Sequence, residues 1–382
     1  MSRRLAAATV LPLTAALALA SCTSEAAPAD DVDWDTLSRE ELAEMAGEEG
    51  QVVVYSFTSR IAQIEESFEA EYPGIDVVPS DISSSELIQR LASEHQAGAA
   101  TADVAYVSDA PVVVTELMED GVLTPYVPER VAEALPDEYE APLVANRLST
   151  KVLMYNEEAY PDGSPVENLW ELTEEEWAGK VVMVDPNVRG DYLDLATEMS
   201  LQAEEMAAAY EEHFGEEITL ADGVADAGMQ FLADLYANDV VLVDDTDTVN
   251  AAVGATGQED PPVGFTSYSD RRDNEEEGWA LQVAAGAAPS PGIVFPAMLG
   301  VTANAENPAA ARLLIDYMMG DDSETGGVAY EPFYVAGDYP TRTDVAALED
   351  AVSLEELGAW QIDPEASAEH RGDVADFLLT IQ

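Results

Sequence analysis

Apolar and polar positions follow one another along the chain in the order typical of an α/β protein. Val52 to Tyr55 form a short run of β-branched and aromatic residues, which suits a strand buried on both faces of a parallel sheet. A polar turn over residues 56–60 precedes apolar positions spaced three and four apart between Ile61 and Phe68. Because such a turn exposes the first N–H groups of a helix, it predicts either a ligand contact or an ordinary helix cap.

The same alternation recurs further along the chain. Ile75 to Val78 and Asp103 to Val107 predict two more strands, and each is followed by a helical pattern. Val181 to Val184 and Gly264 to Ser269 predict strand ends that lead into polar turns, and the first of these precedes a long helical region. This order predicts parallel sheets with right-handed crossovers, in which ligands bind at the carboxyl ends of the strands.

The N-terminal segment has the composition of a targeting sequence. Arg3 and Arg4 precede an apolar stretch, residues 5–19, that is too short to span a bilayer comfortably. The sequence Leu-Ala-Ser-Cys at residues 19–22 resembles a bacterial lipobox, which implies cleavage before Cys22 and lipid attachment to its sulfur. A plain secretory peptide is the alternative. Cys22 is the chain's only cysteine, so no disulfide framework is possible.

Residues 23–49 are predicted to form a tether followed by a short helix. The tether is small, acidic and contains proline, and the helix is expected to begin with a capping box made by Ser38 and Glu41. The globular part is then expected from near Gly50. About 330 residues remain, which is too many for one ordinary core and favours two lobes.

The charge balance excludes one class of partner. Asp and Glu number 77 against 15 Lys and Arg, which gives a formal net charge of −62. Nucleic acid is excluded as a partner because its phosphates require a basic face. The acids are spread along helices, and only two lysines occur, Lys151 and Lys180. We interpret this as adaptation to a saline habitat, and we expect a monomer.

Several motifs together resemble one family. In chain order they are VVVYSFTSR, EYPGIDV, SSSELIQRL, ADVAYVSDAP, RLSTKVLMYN, LWELTEEEWAGKVVMVDP and YPTRTDV. This ordered set resembles the substrate-binding proteins of bacterial ABC importers, within the type 2 periplasmic-binding-protein fold, and is most similar to the ferric-iron-binding branch. The lipobox fits this resemblance, since such proteins are tethered outside the membrane beside their permease.

The resemblance implies an α/β protein of two lobes, each a mostly parallel sheet flanked by helices, with the ligand in the cleft between them. Lobe 1 is expected to comprise residues 51–146 and 293–345, and lobe 2 residues 147–292 and 346–382. The chain is expected to cross between lobes near 147–155 and 291–295, and helices after about residue 346 are expected to pack across lobe 2. The implied activity is delivery of a ligand to a permease and its ATPase, without catalysis and without a cofactor.

The residues expected at the ligand site argue against bare iron. Ferric-binding relatives typically use two adjacent tyrosines, and here these positions are Tyr268 and Ser269. Iron(III) prefers several anionic oxygens, so one tyrosine with Ser and Thr is a poor set, and Tyr268 is retained as a metal ligand only if iron binds. His95, His213 and His370 fall in predicted helices away from the turns.

Basic and hydroxyl side chains in the expected turns and crossings instead favour an anionic ligand, such as a phosphorylated metabolite, a phosphonate or a metal–anion complex. Structural ion pairs and ordinary helix caps are the alternatives for each residue. The candidate ligand-binding residues are Thr58, Ser59, Arg60, Ser83, Ser84, Ser85, Asp109, Arg147, Lys151, Asn187, Arg189, Ser267, Tyr268 and Arg271.

Two other classes of function compete with this one. A cell-surface hydrolase would need a nucleophile elbow, a metal-binding His pair or paired carboxylates. The first two are absent from the sequence, and with 77 acids a carboxylate pair carries no information. A sensory receptor that reports ligand occupancy is the third reading. Binding without turnover, and a permease gene beside the gene for this chain, would distinguish the three.

Overall fold

The computed structural model of the protein describes residues 32–99, 101–349 and 351–382. The predicted signal segment, Cys22 and most of the tether lie outside these residues. No helix in the described ranges is both long and apolar enough to cross a membrane.

One sheet connects all the strands of the described residues, and buried apolar runs account for most of them. The strands are β1 (Gln51–Ser56), β2 (Asp76–Asp81), β3 (Val104–Val107), β4 (Leu123–Thr124), β5 (Val144–Asn156), β6 (Val181–Val184), β7 (Val241–Val243), β8 (Val263–Thr266), β9 (Leu281–Val283), β10 (Gly292–Thr302), β11 (Tyr339–Pro340) and β12 (Trp360–Gln361). The predicted strands at 52–55, 75–78, 103–107 and 181–184 are therefore confirmed within one residue at each end, except that β2 extends three residues beyond its predicted end.

The order of the strands divides the sheet into two parallel parts. The main path is β2-β1-β3-β10-β5-β8-β6-β7, in which β1 pairs in parallel with β2 and β3, and β6 pairs in parallel with β7 and β8. The short strands β4, β9, β11 and β12 pair with β5 or β10 at its centre. The strand-turn-helix alternation thus gives the parallel pairing that the sequence predicts.

Two long antiparallel strands join these parts. Residues 292–299 of β10 pair with residues 144–152 of β5, and all thirteen residues of β5 are buried. The predicted crossings at 147–155 and 291–295 fall within or beside this pair. The assignment of residues to two lobes stays a prediction.

Helices cover the faces of the sheet. They are α1 (Arg39–Glu49), α2 (Ile61–Glu71), α3 (Ser84–Ala97), α4 (Ala110–Val112, continued by a π-helical turn Val113–Leu117), α5 (Glu129–Ala132), α6 (Asp137–Glu140), α7 (Gly190–Leu201), α8 (Ala203–Phe214), α9 (Ala227–Ala237), α10 (Thr246–Gly254), α11 (Asn274–Glu277), α12 (Pro308–Met318), α13 (Gly327–Tyr330), α14 (Leu354–Leu357) and α15 (Pro364–Ile381). Short 3₁₀ segments occur at Leu169–Thr173, Glu175–Trp177, Tyr268–Asp273 and Glu331–Phe333.

The first helix extends the globular part beyond the predicted boundary. The predicted capping box is present, because the Ser38 hydroxyl accepts from the backbone of Glu41 and the Glu41 carboxylate accepts from the backbone of Ser38. Leu42 and Ala46 are buried where α1 packs on α12. The compact part of the chain therefore begins at Asp35 rather than near Gly50.

The last helix contacts more of the molecule than the sequence suggests. α15 packs on α7 and α9, as expected for a helix that lies over the second part of the sheet, but it also packs on α4 beside the first part. Arg371 carries this second contact, since it forms an ion pair with Asp109, the residue that precedes α4. The contact with α4 is additional to the predicted packing of the C-terminal helices across the second lobe.

Candidate functional site

A polar cleft of about 300 Å³ opens where the parallel strands end. Its walls come from the turns after β1, β6, β7 and β8, from the end of β2, and from the middle of β5 and β10. This is the edge at which open α/β sheets bind ligands. The lining residues are Phe57, Thr58, Ser59, Arg60, Asp81, Arg147, Ser149, Lys151, Arg189, Asp191, Asp245, Thr246, Asp247, Ser267, Ser269, Asp270, Arg272 and Phe295.

The centre of the cleft is built on one face of β5. Arg147, Ser149 and Lys151 are two residues apart, and alternate side chains of a strand point to the same face. The residues between them do not line the cleft: the Thr150 hydroxyl accepts from the backbone N–H of Tyr268 at 3.1 Å, and Leu148 lines a separate pocket with Tyr339 and Val345. The alternation of β5 therefore aims two cations and a hydroxyl into the cleft.

One buried carboxylate orients two arginines. The Arg147 guanidinium donates to Asp338 at 2.6 Å and to the Tyr106 hydroxyl at 2.9 Å, and Arg60 donates to the other oxygen of Asp338. The Asp338 and Arg147 side chains are fully buried. Burial works against the charge of Arg147, but Asp338 and Tyr106 outweigh it and raise the pKa of its guanidinium. With two cations on one carboxylate, this part of the cleft has surplus positive charge.

A second buried carboxylate, Asp191, orients two further cations of the cleft, Lys151 and Arg189. Asp191 accepts from Lys151 at 3.1 Å and from two nitrogens of Arg189, and Arg189 also donates to Thr246 at 2.8 Å. Burial disfavours the Asp191 carboxylate, but Lys151 and Arg189 outweigh it and lower its pKa to about 2. Burial lowers the pKa of Lys151, with Asp191 opposing the shift. Lys151 also donates to the Ser267 hydroxyl at 2.8 Å.

Three polar groups of residues that line the cleft have capacity left for a ligand. Nη2 of Arg147 is buried and has no hydrogen-bond partner among the described residues. The side-chain hydroxyls of Ser149 and Ser269 make no hydrogen bond within the described part of the chain, although the two residues are only 4% and 1% exposed. Buried polar groups are usually paired, so unpaired ones on a cleft wall are available to bind a ligand.

Half of the sequence-predicted residues line this cleft and half do not. Those that line it are Thr58, Ser59, Arg60, Arg147, Lys151, Arg189 and Ser267. Those that lie elsewhere are Ser83, Ser84, Ser85, Asp109, Asn187, Tyr268 and Arg271.

The three serines at the start of α3 lie outside the cleft. The Ser83 hydroxyl caps the helix by accepting from the backbone of Glu86, which is the ordinary alternative considered for it. The Ser84 hydroxyl bonds to that of Ser108 at 2.8 Å, and Ser85 lies in the first helical turn. The start of α3 therefore does not contribute to the cleft in this conformation.

Other expected contacts are also used locally. The Asn187 side chain donates to Asp185 at 3.1 Å, and Arg271 lies 3.7 Å from the carboxylate of Glu157. The neighbouring Arg272 lines the cleft instead, where it donates to Asp270 at 2.9 Å. A 3₁₀ turn at residues 268–273 decides which of the two adjacent arginines faces the cleft.

Tyr268 is poorly placed for metal binding. It is 1% exposed, and its hydroxyl accepts from the backbone N–H of Val352 at 3.5 Å rather than lining the cleft. His95, His213 and His370 lie in α3, α8 and α15, as expected, and none of them lines the cleft. The described residues contain no cluster of three or more His, Cys, Asp or Glu side chains that could hold a metal ion.

Asp109 takes part in a buried ion-pair cluster behind the cleft. Arg371 of α15 donates to Asp109 at 2.7 Å and lies 3.6 Å from Asp194 of α7. A Cβ built on Gly190, the first residue of α7, would lie 2.1 Å from the Asp109 carboxylate, so only glycine permits this approach. Burial, together with the charge of Asp109, raises the pKa of Asp194 well above its usual range. Arg371 therefore ties α4, α7 and α15 together.

Several lining residues were not predicted from the sequence. The alternation of β5 would have identified Ser149 between Arg147 and Lys151. The acidic residues Asp81, Asp191, Asp245, Asp247 and Asp270 resemble the many other acids of this chain, so no sequence signal separates them.

The fold and the motifs have counterparts in known proteins. A sequence profile described as bacterial extracellular solute-binding protein matches residues 51–325, which is more than half of the chain. No curated protein shows significant similarity.

Solved structures share the fold at low sequence identity. Iron-bound HitA from Pseudomonas aeruginosa is 18% identical, with a TM-score of 0.66, over 87% of this chain and 99% of that chain. A substrate-binding protein of an ABC transporter from Agrobacterium tumefaciens is 16% identical, with a TM-score of 0.65, over 87% and 94%. AfuA from Actinobacillus pleuropneumoniae, with fructose-6-phosphate bound, is 16% identical, with a TM-score of 0.62, over 86% and 97%.

At this identity these structures establish the fold, a mixed α/β arrangement shared with two-lobed periplasmic binding proteins, and not the ligand. The sequence profile covers the strands and turns that build most of the cleft. The chain belongs to the bacterial extracellular solute-binding protein family, whose members bind solutes outside the cytoplasm for ABC transporters.

Proposed function

We propose that the protein captures a small anion in its cleft and delivers it to an ABC permease. The observation that carries this proposal is a set of polar groups of cleft-lining residues without a hydrogen-bond partner in the described residues: the buried Nη2 of Arg147 and the hydroxyls of Ser149 and Ser269. An anion would accept hydrogen bonds from all three, and bonds to an ionised acceptor are the strong ones.

The surrounding charges support the same ligand. Asp338 balances only one of Arg60 and Arg147, and Asp191 balances only one of Lys151 and Arg189. The carboxylates hold the cations in place, and within each of these two groups one positive charge is left without a carboxylate bonded to it. Because these side chains are buried, an anion beside them gains more than on the acidic outer surface.

Lobe closure would convert binding into a signal for the transporter. Arg147, Ser149 and Lys151 come from the central strand, whereas Ser59 and Arg189 come from opposite parts of the sheet. A ligand held by both parts stabilises the closed arrangement, so its presence shifts the population toward the form that the permease recognises.

Ferric iron is the second candidate, because several structures of the same fold are those of ferric-binding proteins. The buried position of Tyr268 and the hydroxyl at Ser269 favour the anion instead.

The test is ligand identification followed by calorimetry. Native mass spectrometry of protein purified from its host identifies the bound mass, and titrations then compare that ligand, inorganic phosphate, an alkylphosphonate and ferric iron. Ser149→Ala, Ser269→Ala and Arg189→Ala are each expected to weaken binding of the anion by about 1.5–3 kcal/mol. Ser149 and Ser269 make no side-chain bonds within the described residues, so their variants should unfold like the unsubstituted protein.

Arg90→Ala is the matched control, since Arg90 pairs with Glu94 on the exposed face of α3, outside the cleft. The affinity of Arg90→Ala for the anion should equal that of the unsubstituted protein. Equal affinities for all four variants, or a best ligand that is a bare cation, would reject the anion proposal and leave the family assignment intact.

The proposed location is the outer face of the cell membrane, with a lipid on Cys22 as the anchor. Cys22→Ser is expected to release the protein from the membrane fraction or to leave it unprocessed. Mass spectrometry of the mature N-terminus checks this directly, and a mature protein without lipid would contradict the anchor.

A further inference from the structure

The cleft contains carboxylates that an anion alone does not explain. Asp81 and Asp247 line it and make no side-chain hydrogen bond or ion pair with the described residues. Asp245 also lines it, and one of its oxygens caps α10 by accepting from the backbone of Thr248 at 2.7 Å.

These carboxylates come from different strands than the cations Arg147 and Lys151. Arg147 and Lys151 project from β5, in the middle of the sheet. Asp81 ends β2, and Asp245 and Asp247 follow β7; β2 and β7 are the two outermost strands of the main path. Negative charge therefore enters the cleft from the outermost strands on both sides of β5, and we call these three exposed side chains, Asp81, Asp245 and Asp247, the rim carboxylates. Arg189 lies beside two of them, since it donates to Thr246 at 2.8 Å.

This arrangement affects closure as well as binding. If the two sides of the cleft move together, Asp81 approaches Asp245 and Asp247, and like charges repel. An anion at the centre would not relieve that repulsion. A positive charge between the rim carboxylates would relieve it.

We propose that the ligand is a small zwitterion whose phosphonate, phosphate or carboxylate group binds Arg147, Ser149 and Lys151, and whose ammonium group binds the carboxylates at the rim. This inference rests on the proposed function and narrows its ligand class. A cavity of about 300 Å³ is at the lower end of the range for small-molecule sites, which suits a short molecule with its two charges at opposite ends.

Matched ligand pairs that differ only in the amino group test this. Calorimetry at one fixed ionic strength compares 2-aminoethylphosphonate with ethylphosphonate, and 4-aminobutanoate with butanoate. We expect the amino compound of at least one pair to bind about ten- to a hundredfold more tightly, as charge-assisted hydrogen bonds allow. In the double variant Asp81→Asn/Asp247→Asn that advantage should fall to less than about threefold, while the amino-free compound binds equally well or better.

The control is the double variant Asp76→Asn/Asp244→Asn, which removes the same formal charge from exposed positions on β2 and after β7 that do not line the cleft. It should retain the preference for the amino compound. Equal binding within both pairs, or a preference that survives Asp81→Asn/Asp247→Asn, would overturn the zwitterion while leaving an anion receptor.

A fifth titration uses inorganic phosphate with and without Mg²⁺. Phosphate binding that requires the metal would also overturn the zwitterion, because the rim would then serve a metal–anion complex. If none of these anions binds, the proposed function fails together with this inference. In every other outcome at least one anion binds, so the two failures can be told apart.

Discussion

Lys151 is the cleft residue whose charge is most open to change. Its ammonium is buried, and burial lowers its pKa, while Asp191 at 3.1 Å limits the shift. A lysine with a lowered pKa loses its proton at a lower pH than an exposed lysine does. In the proposed function the protonated form would donate to the anion, so affinity should be full below this pKa and lost as pH rises through it.

The corresponding experiment is a calorimetric titration of the anion as pH increases toward 10.5, the pKa of an unperturbed lysine. We expect affinity to decline before that value is reached. Lys151→Arg keeps a positive charge throughout this range, so its profile should be flatter. Parallel profiles for the two proteins would show that another group is responsible.

Residue identities predicted the cleft only in part. Thr58, Ser59 and Arg60 follow a recognisable strand, so their place on the ligand-binding edge could be inferred. The roles of Ser83 and Tyr268 could not, because a helix cap and a ligand contact require the same residue types. Asp338 lies almost 200 residues from Arg147 in the chain, and nothing local to either residue indicates their ion pair.

Individual elements were the most predictable level of structure. The apolar run at β1, the spacing in α2 and the capping box of α1 are local patterns, and local physics determines them. The packing of α1 on α12 and the contact of α15 with α4 depend on pairings distant in sequence, so the pattern of either helix alone does not reveal its neighbour.

Arg371 gives a prediction at the level of elements. Arg371→Ala would leave Asp109 and Asp194 as buried acids without their cation at the junction of α4, α7 and α15. Breaking a buried pair in this way typically costs about 3–5 kcal/mol. Urea denaturation at fixed high salt measures the loss. Arg90→Ala, which removes an exposed pair, should cost less than about 1 kcal/mol, and a similar small loss for both variants would contradict this role of Arg371.

Across the whole molecule, 77 acids and 15 bases produce self-repulsion that salt can screen. The melting temperature is expected to rise between low and molar salt, because the Debye length falls from tens of ångströms to about 3 Å over that range. The rise should exceed the roughly 2–4 °C that corresponds to 1 kcal/mol in a protein of moderate size. Thermal scans across a salt series provide the measurement. A flat or falling curve would remove the interpretation of the acidic surface as salt adaptation.

The position of Arg147, Ser149 and Lys151 on β5 has a consequence for the rates of binding. β5 pairs with strands of both parts of the sheet through β10 and β8, so these three side chains are attached to the axis about which the parts would rotate. If the parts rotate about this strand, the three side chains would line both the open and the closed cleft, and an arriving ligand would meet them first. Their substitution should therefore slow association, whereas substitution of Arg189, on a moving wall, should mainly shorten the residence time of the ligand. Uptake by the transporter would then depend on two rates that can change separately: association of the ligand, set by the side chains of β5, and its dissociation, set by the walls of the cleft.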